Sequence, residues 1–322
     1  MLSEFDLIKE YFQRPQHATR AALGIGDDCA LIAPTAGRQI AISSDMLVEG
    51  RHFFVGEDPQ RLGHKALAVN LSDLAAMGAR PVGFTLALAL PSAERAWLQG
   101  FSQGLFALAD AFNIELIGGD TTKGPLNICI TVFGDVAPGR ALRRSAARAG
   151  DDIWISGTLG DARLALAAYR EELTLEDATL DAAGIRMHTP VPRVELGMLL
   201  AEQGIAHAAI DISDGLIGDL GHILTASQVG ATLDVDALPA GDVLATREPA
   251  LRRAFTAAGG DDYELCFTAP ATARAAVLAA AASVATPVTR VGVIDAAPGL
   301  RLVDAAGAPL DLQLASFDHF TS

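Results

Sequence analysis

The chain has 322 residues, of which 50% are hydrophobic and 20% charged, and its formal net charge at pH 7 is -15. This length exceeds one ordinary core and points to two domains, and the apolar content is ample for both. The acidity excludes nucleic acid and anionic membrane surfaces as partners, since both call for a basic face.

In chain order, Ser3 with Asp6 has the spacing of a capping box, and Leu2, Phe5, Ile8 and Phe12 recur at helical spacing, so an amphipathic helix opens the chain. Acidic residues stand at this end where an export signal is basic, and no apolar run reaches membrane-spanning length, so a soluble cytoplasmic protein is expected. Residues 39–44 alternate as a strand that delivers Asp45 at its end. A helix follows from about Pro59 to Met77, closed by Gly78 and Pro81. Next come a strand over 84–90 and a helix over 93–112 with Trp97, Phe101, Leu105, Leu108 and Phe112 on one face. A short strand over 114–117 is expected to stop at Gly118-Gly119-Asp120, and another covers 126–135. The Pro138-Gly139 turn and Arg143-Arg144 mark a domain boundary. Beyond it the pattern reads as a strand over 153–156, an Ala-rich helical stretch, a strand over 205–212, a helix over 214–226, a strand over 264–268 and a helix over 271–283. Strand, loop and helix alternate throughout, which defines an α/β protein with polar residues gathered where strands end. The three cysteines, Cys29, Cys129 and Cys266, lie in separate apolar segments and read as reduced thiols.

The chemistry lies in a dispersed set of aspartates set among small, apolar or hydroxyl residues: Asp27, Asp28, Asp45, Asp73, Asp120, Asp211 and Asp214. One such aspartate is most simply paired with Arg or Lys. A whole set is not, because the chain has only Lys9, Lys65 and Lys123, and its arginines fall mostly in polar stretches. Desolvated carboxylates repel one another unless a cation sits between them, and all-oxygen ligands suit magnesium, which in enzymes usually accompanies phosphate. No P-loop, protein-kinase catalytic loop or zinc pattern is present. A non-catalytic cation module would concentrate its ligands in one loop, whereas these are spread widely. Gly215, Gly218 and Gly221, three residues apart, clear one side of a helix for either a neighbouring helix or a ligand. Asn70-Leu-Ser-Asp and Asp211-Ile-Ser-Asp recur at one offset, as do Gly118-Gly-Asp and Gly259-Gly-Asp, without matching flanks.

Taken in order, Gly24-Ile-Gly-Asp-Asp-Cys-Ala, Ala68-Val-Asn-Leu-Ser-Asp-Leu-Ala-Ala-Met-Gly-Ala, Leu116-Ile-Gly-Gly-Asp-Thr-Thr, Ala209-Ile-Asp-Ile-Ser-Asp-Gly-Leu, Gly259-Gly-Asp-Asp-Tyr-Glu-Leu and Phe317-Asp-His-Phe resemble the thiamine-monophosphate kinases of the aminoimidazole-ribonucleotide-synthetase-like superfamily. Selenophosphate synthetases of that superfamily carry an N-terminal Cys and Lys loop that this chain lacks. The resemblance implies a two-domain α/β fold, with residues 1–145 as a metal- and ATP-binding domain that pairs in a homodimer and residues 146–322 as a C-terminal α/β domain closing the active-site cleft. It implies phosphoryl transfer from ATP to thiamine monophosphate, assisted by several magnesium ions and without a covalent nucleophile. Asp28, Ser43, Ser44, Asp45, Asp73, Asp120, Asp211 and Asp214 are implied as magnesium ligands. Gly119, Asp120, Arg144 and Ser213 are implied near ATP, and His52, Asp261 and Phe317 around the thiamine moiety. Asp261 stands where the family usually has Glu, Ser44 where it has Thr, and Phe317 where it has a more polar aromatic.

Overall fold

The computed structural model describes residues 3–14, 21–26, 28–33 and 35–312. The chain divides into two compact units, Met1–Leu74 with Ala79–Gly139, and Ala75–Gly78 with Arg140–Ser322. No helix among the described residues is long and apolar enough to cross a membrane.

The first unit opens with helix α1 (Glu4–Leu7), where the Ser3 hydroxyl accepts the Asp6 N–H and the Asp6 side chain answers the Ser3 N–H. This is the expected capping box, though the helix soon widens into a π-helical turn over Ile8–Phe12. Strands β1 (Ala21–Leu23) and β2 (Leu31–Ile32) pair antiparallel. Then follow β3 (Gln39–Val48), α2 (Pro59–Ala76), β4 (Arg80–Leu90), α3 (Arg95–Ala111), β5 (Glu115–Lys123) and β6 (Asn127–Val136). The four long strands form one sheet in the order β3-β6-β4-β5, antiparallel except for β4 with β5, which α3 connects as a crossover helix.

Alternation sets the two faces of this sheet. Ile128, Ile130 and Val132 of β6 and Phe84, Leu86 and Leu88 of β4 are buried on one face, whereas Ile40, Ile42 and Met46 of β3 point the other way and are exposed. Helix α2 is apolar over most of its circumference and almost wholly buried. It crosses α3 at a separation only glycine permits, since a Cβ at Gly63 would strike the Phe101 carbonyl and one at Gly104 the Gln60 carbonyl. Strand β5 departs from the sequence expectation. Rather than stopping at Gly118, it continues through Gly118-Gly119-Asp120 to Lys123, because a bulge opposite Phe84 and Thr85 keeps the ladder paired.

The second unit comprises β7 (Asp151–Ser156), α4 (Asp161–Tyr169), α5 (Asp177–His188), α6 (Val194–Glu202), β8 (Ala208–Asp211), α7 (Leu216–Ser227), β9 (Gly230–Asp234), α8 (Pro249–Ala258), β10 (Leu265–Pro270), α9 (Arg274–Ser283), β11 (Val288–Asp295) and β12 (Gly299–Val303). They build a six-stranded sheet in the order β12-β9-β11-β7-β10-β8, antiparallel apart from β12 with β9. The central strand β7 is buried along its whole length. Ile153 and Ile155 pack with Ile210, Leu220, Ile223 and Leu233 on one face, and Trp154 stacks on Phe267 on the other. The Ala-rich stretch resolves into three helices, and Ala162, Leu164, Ala165, Ala183 and Met187 of α4 and α5 form a second small core. The sheet positions the end of β8 and the segment leading into β10 side by side, and the site residues of this unit are gathered there.

Candidate active site

In the first unit, the site is built where α2 lies against β3. Ser43 and Asp45 are register partners of the buried Val132 and Ile130, so both face inward toward the helix. Helix α2 answers with Asn70 and Asp73, one turn apart on one stripe. The Ser43 hydroxyl donates to Asp73 Oδ2 at 2.5 Å, and the Asp45 backbone N–H donates to Asn70 Oδ1 at 3.1 Å. Asn70, 1% exposed, is fixed in turn by its amide donating to the Ala66 carbonyl at 3.0 Å. The structure therefore brings Ser43, Asp45 and Asp73 together. Asn70 belongs with them as the group that holds Asp45 in place, and the sequence presented it only as part of a motif.

Other expected residues of this unit lie elsewhere. Ser44 alternates to the opposite face, where its hydroxyl meets the Thr131 hydroxyl at 3.0 Å and the Ile130 carbonyl at 3.1 Å. Asp120 on the edge strand β5 is in register with Ala87 of β4, while Asp45 is on β3, the other edge strand. Three strand spacings separate those edges, about 14 Å along the sheet. Gly119 precedes Asp120 with a φ of 148°, and a Cβ there would strike the Leu86 carbonyl, so glycine is required. Asp28 is exposed in the bend between β1 and β2. His52 is half-buried in the turn after β3, its Nδ1 accepting the Val48 N–H at 3.0 Å, which leaves the ring proton on Nε2. Asp27 and Phe317 lie outside the described residues.

In the second unit, Asp211 ends β8, opposite Leu265 at the start of β10. The ladder continues beyond the strands: the Ile212 N–H donates to the Glu264 carbonyl, the Tyr263 N–H to the Ile212 carbonyl and the Asp261 N–H to the Ser213 carbonyl, each at 2.8 Å. Asp211, Ser213, Asp214 and Asp261 thus share one edge of the fold. Asp261 and Tyr263 have φ values of 70° and 50°, and Gly260 packs against the Ser213 carbonyl, so this approach has a tightly specified backbone. Glu264, fully buried, anchors the segment from beneath. It accepts from Ser156 Oγ at 2.6 Å and from Arg193 Nε at 2.6 Å, and it also pairs with Arg186. Asp262 beside it takes the Gly160 N–H on both oxygens, and complete burial pushes its pKa well above the ordinary carboxylate range.

The glycines of the following helix have a mixed outcome. Gly215, φ 120°, packs on the Ala258 backbone, whereas a Cβ at Gly221 would meet nothing within 4 Å. Arg144 is exposed, and its carbonyl accepts from Ser227 Oγ at 2.7 Å, which anchors it beside the last turn of α7. Ser213 and Asp214 precede the first turn of that helix. Asp219, on α7, is a further residue missed by sequence reasoning. Its Oδ2 accepts from the backbone N–H groups of Ser213, Asp214 and Gly215.

Among the described residues no three His, Cys, Asp or Glu side chains are gathered closely enough to hold an ion by themselves. The donors that do come together, Ser43, Asp45 and Asp73 in one unit and Asp211 and Asp214 in the other, are all oxygen. That chemistry suits a hard cation completed by phosphate and water oxygens, the usual mode for magnesium.

Two family models match the chain. That of the AIR synthase related protein N-terminal domain covers residues 26–136, and that of its C-terminal domain covers residues 148–305, which defines a two-domain protein of AIR-synthase-related fold. The thiamine-monophosphate kinases of Salmonella typhimurium and Escherichia coli are each 46% identical over 325 residues, 99% of this chain and 98% of the relative. The crystal structure of thiamine-monophosphate kinase from Stenotrophomonas maltophilia superposes with a TM-score of 0.84 at 46% identity, covering 91% of this chain and 93% of that one. AaThiL complexed with AMPPCP and TMP superposes with a TM-score of 0.76 at 26% identity, covering 98% and 96%. The hydrogenase maturation protein HypE, 22% identical with a TM-score of 0.75, shares the fold. The chain belongs to the thiamine-monophosphate kinase family. It is accordingly an enzyme, a phosphotransferase whose acceptor is a phosphate group.

Proposed function

We propose that the chain transfers the γ-phosphoryl group of ATP directly and in line to the phosphate of thiamine monophosphate, with residues 1–145 and 146–322 as the two working domains. The observation that carries this reading is the hydrogen-bonded adjacency of the Ser213 and Asp261 segments, which sets the expected nucleotide and acceptor residues next to each other. The related complex with AMPPCP and TMP supports the same pair of ligands here. Magnesium ions, when bound, neutralise the charge of the two polyanions and of the transferring group. Ser43, Asp45 and Asp73 would hold cations from the first unit, and Asp211 and Asp214 from the second. Ser44, Asp28 and Asp120 are proposed as further ligands, Gly119 and Arg144 as nucleotide contacts.

Positioning is the chain's own contribution. Asn70 fixes the Asp45 backbone and the Ser43 hydroxyl fixes one Asp73 oxygen, so those carboxylates are oriented before ligands arrive. Asp261 offers its carboxylate to the cationic thiazolium or the aminopyrimidine, with His52 and Phe317 as further contacts. The acceptor phosphate is itself the nucleophile, so no covalent enzyme intermediate is required. We further propose that the protein acts as a cytoplasmic homodimer. The exposed Ile40, Ile42 and Met46 on the outer face of the first unit's sheet support that pairing.

The test is purified protein with ATP, magnesium and a panel of phosphorylated acceptors. Diphosphorylation of thiamine monophosphate alone, abolished by chelation and restored by magnesium or manganese, is the expected result. Turnover undiminished by chelation, or equal turnover of unrelated monophosphates, would overturn the reading.

A further inference from the structure

The turn between β8 and α7 cannot hold itself in place. Asp211 ends the strand and Leu216 starts the helix, so the N–H groups of Ser213, Asp214 and Gly215 precede any intrahelical partner. Gly215, with φ 120°, bends the chain away from both regular elements. All three N–H groups converge on one atom, Asp219 Oδ2, at 3.1, 3.2 and 3.1 Å respectively. Consecutive amides aimed at one point form an anion nest, and here the chain's own carboxylate fills it from within. Asp219 is 4% exposed, so neither solvent nor a ligand competes for that oxygen. From the other side the Asp261 N–H holds the Ser213 carbonyl. With the backbone pinned on both sides, the directions in which the half-buried side chains of Ser213 and Asp214 leave the turn are set.

We infer that Asp219 is the positioning residue of the nucleotide-binding turn: through three backbone N–H groups it sets the direction in which Ser213 and Asp214 face the nucleotide and its cation. The inference rests on the proposed assignment of those two residues to the nucleotide. Asp219 is assigned no direct contact with either ligand: it is buried, and its Oδ2 is committed to three backbone N–H groups. Its effect is expected on affinity, because a turn released from the nest must be ordered again each time a nucleotide binds.

The test uses the full chain and measures AMPPCP binding by titration calorimetry with and without magnesium, alongside melting temperature and both KM values, for Asp219→Leu, Asp219→Asn and Ser213→Ala. Asp219→Leu removes the acceptor and is expected to weaken AMPPCP binding by about tenfold or more. Asp219→Asn keeps a weaker oxygen acceptor and is expected to weaken it by about threefold, with KM for ATP rising more than KM for thiamine monophosphate. Ser213→Ala, expected to weaken AMPPCP binding as well, separates the two levels of the argument. If it binds as tightly as the parent, the nucleotide assignment fails and the inference falls with it. If it binds more weakly while folded Asp219→Leu binds as the parent does, the assignment stands and Asp219 only stabilises the fold. Should Asp219→Leu not fold, Asp219→Asn decides, and unchanged affinity for AMPPCP overturns the inference.

Discussion

The backbone N–H of Asp261 donates to the carbonyl oxygen of Ser213 at 2.8 Å, which joins the loop expected to meet the acceptor to the turn expected to meet the nucleotide. Because the link runs through the backbone, the Asp261 side chain can be changed without breaking it, and the two binding functions can be separated by mutation.

Asp261→Ala should raise KM for thiamine monophosphate by about tenfold or more and KM for ATP by much less, since the lost contact is common to ground and transition states. Asp261→Glu should keep the acceptor KM equal or better. Its φ of 70° favours Asp over Glu, so a melting temperature lowered by a degree or so is expected with it. Steady-state kinetics with each substrate varied in turn checks both. A rise confined to KM for ATP would move the loop from the acceptor side to the nucleotide side.

Asp73→Asn should lower turnover by about a hundredfold or more while leaving the melting temperature close to the parent, because the half-buried amide still accepts from Ser43 but no longer carries charge for a cation. Turnover together with thermal melting decides. Near-parental turnover of the folded variant contradicts the shared-cation reading.

Gly119→Ala should destabilise the protein by more than about 2 kcal/mol, because a φ of 148° is strained for any L side chain and the new Cβ meets the Leu86 carbonyl. Urea titration gives the value. A midpoint unchanged from the parent would mean that β5 has another backbone course.

Asp262 offers a test by pH. Burial holds its folded pKa well above the ordinary value near 3.8. The folded state therefore keeps a proton that the unfolded state has released. The associated stability is full below the unfolded pKa and is lost as pH rises through the folded pKa. Asp262→Asn removes this titration and should flatten the fall in melting temperature with rising pH above about 4. A variant with the same pH slope as the parent would show that Asp262 is ionised in the fold.

The α/β alternation, helix α2 and the capping box at Ser3 were legible in the sequence, because each rests on local spacing and on residue types that act over one or two turns. What was not legible depends on contacts distant in sequence. Gly118-Gly119 read as a strand end, yet register with β4 carries β5 past it. Ser43, Ser44 and Asp45 are consecutive in the sequence, and strand alternation turns Ser44 to the face opposite the other two, where its hydroxyl meets that of Thr131. Asp219 belongs to no pattern drawn from the sequence, because only the fold returns its oxygen to the three preceding amides. Glu264 lay in a recognised motif, but its two arginines come from positions 71 and 78 residues earlier in the chain, a pairing no local pattern signals.

The claim that transfer is direct is tested most directly by turnover of ATP made chiral at the γ-phosphorus, with the configuration of the phosphoryl group then read in the thiamine diphosphate formed. In-line attack by the acceptor phosphate predicts inversion, because one displacement occurs at phosphorus. Net retention would require two displacements through a phosphorylated enzyme and would contradict the account.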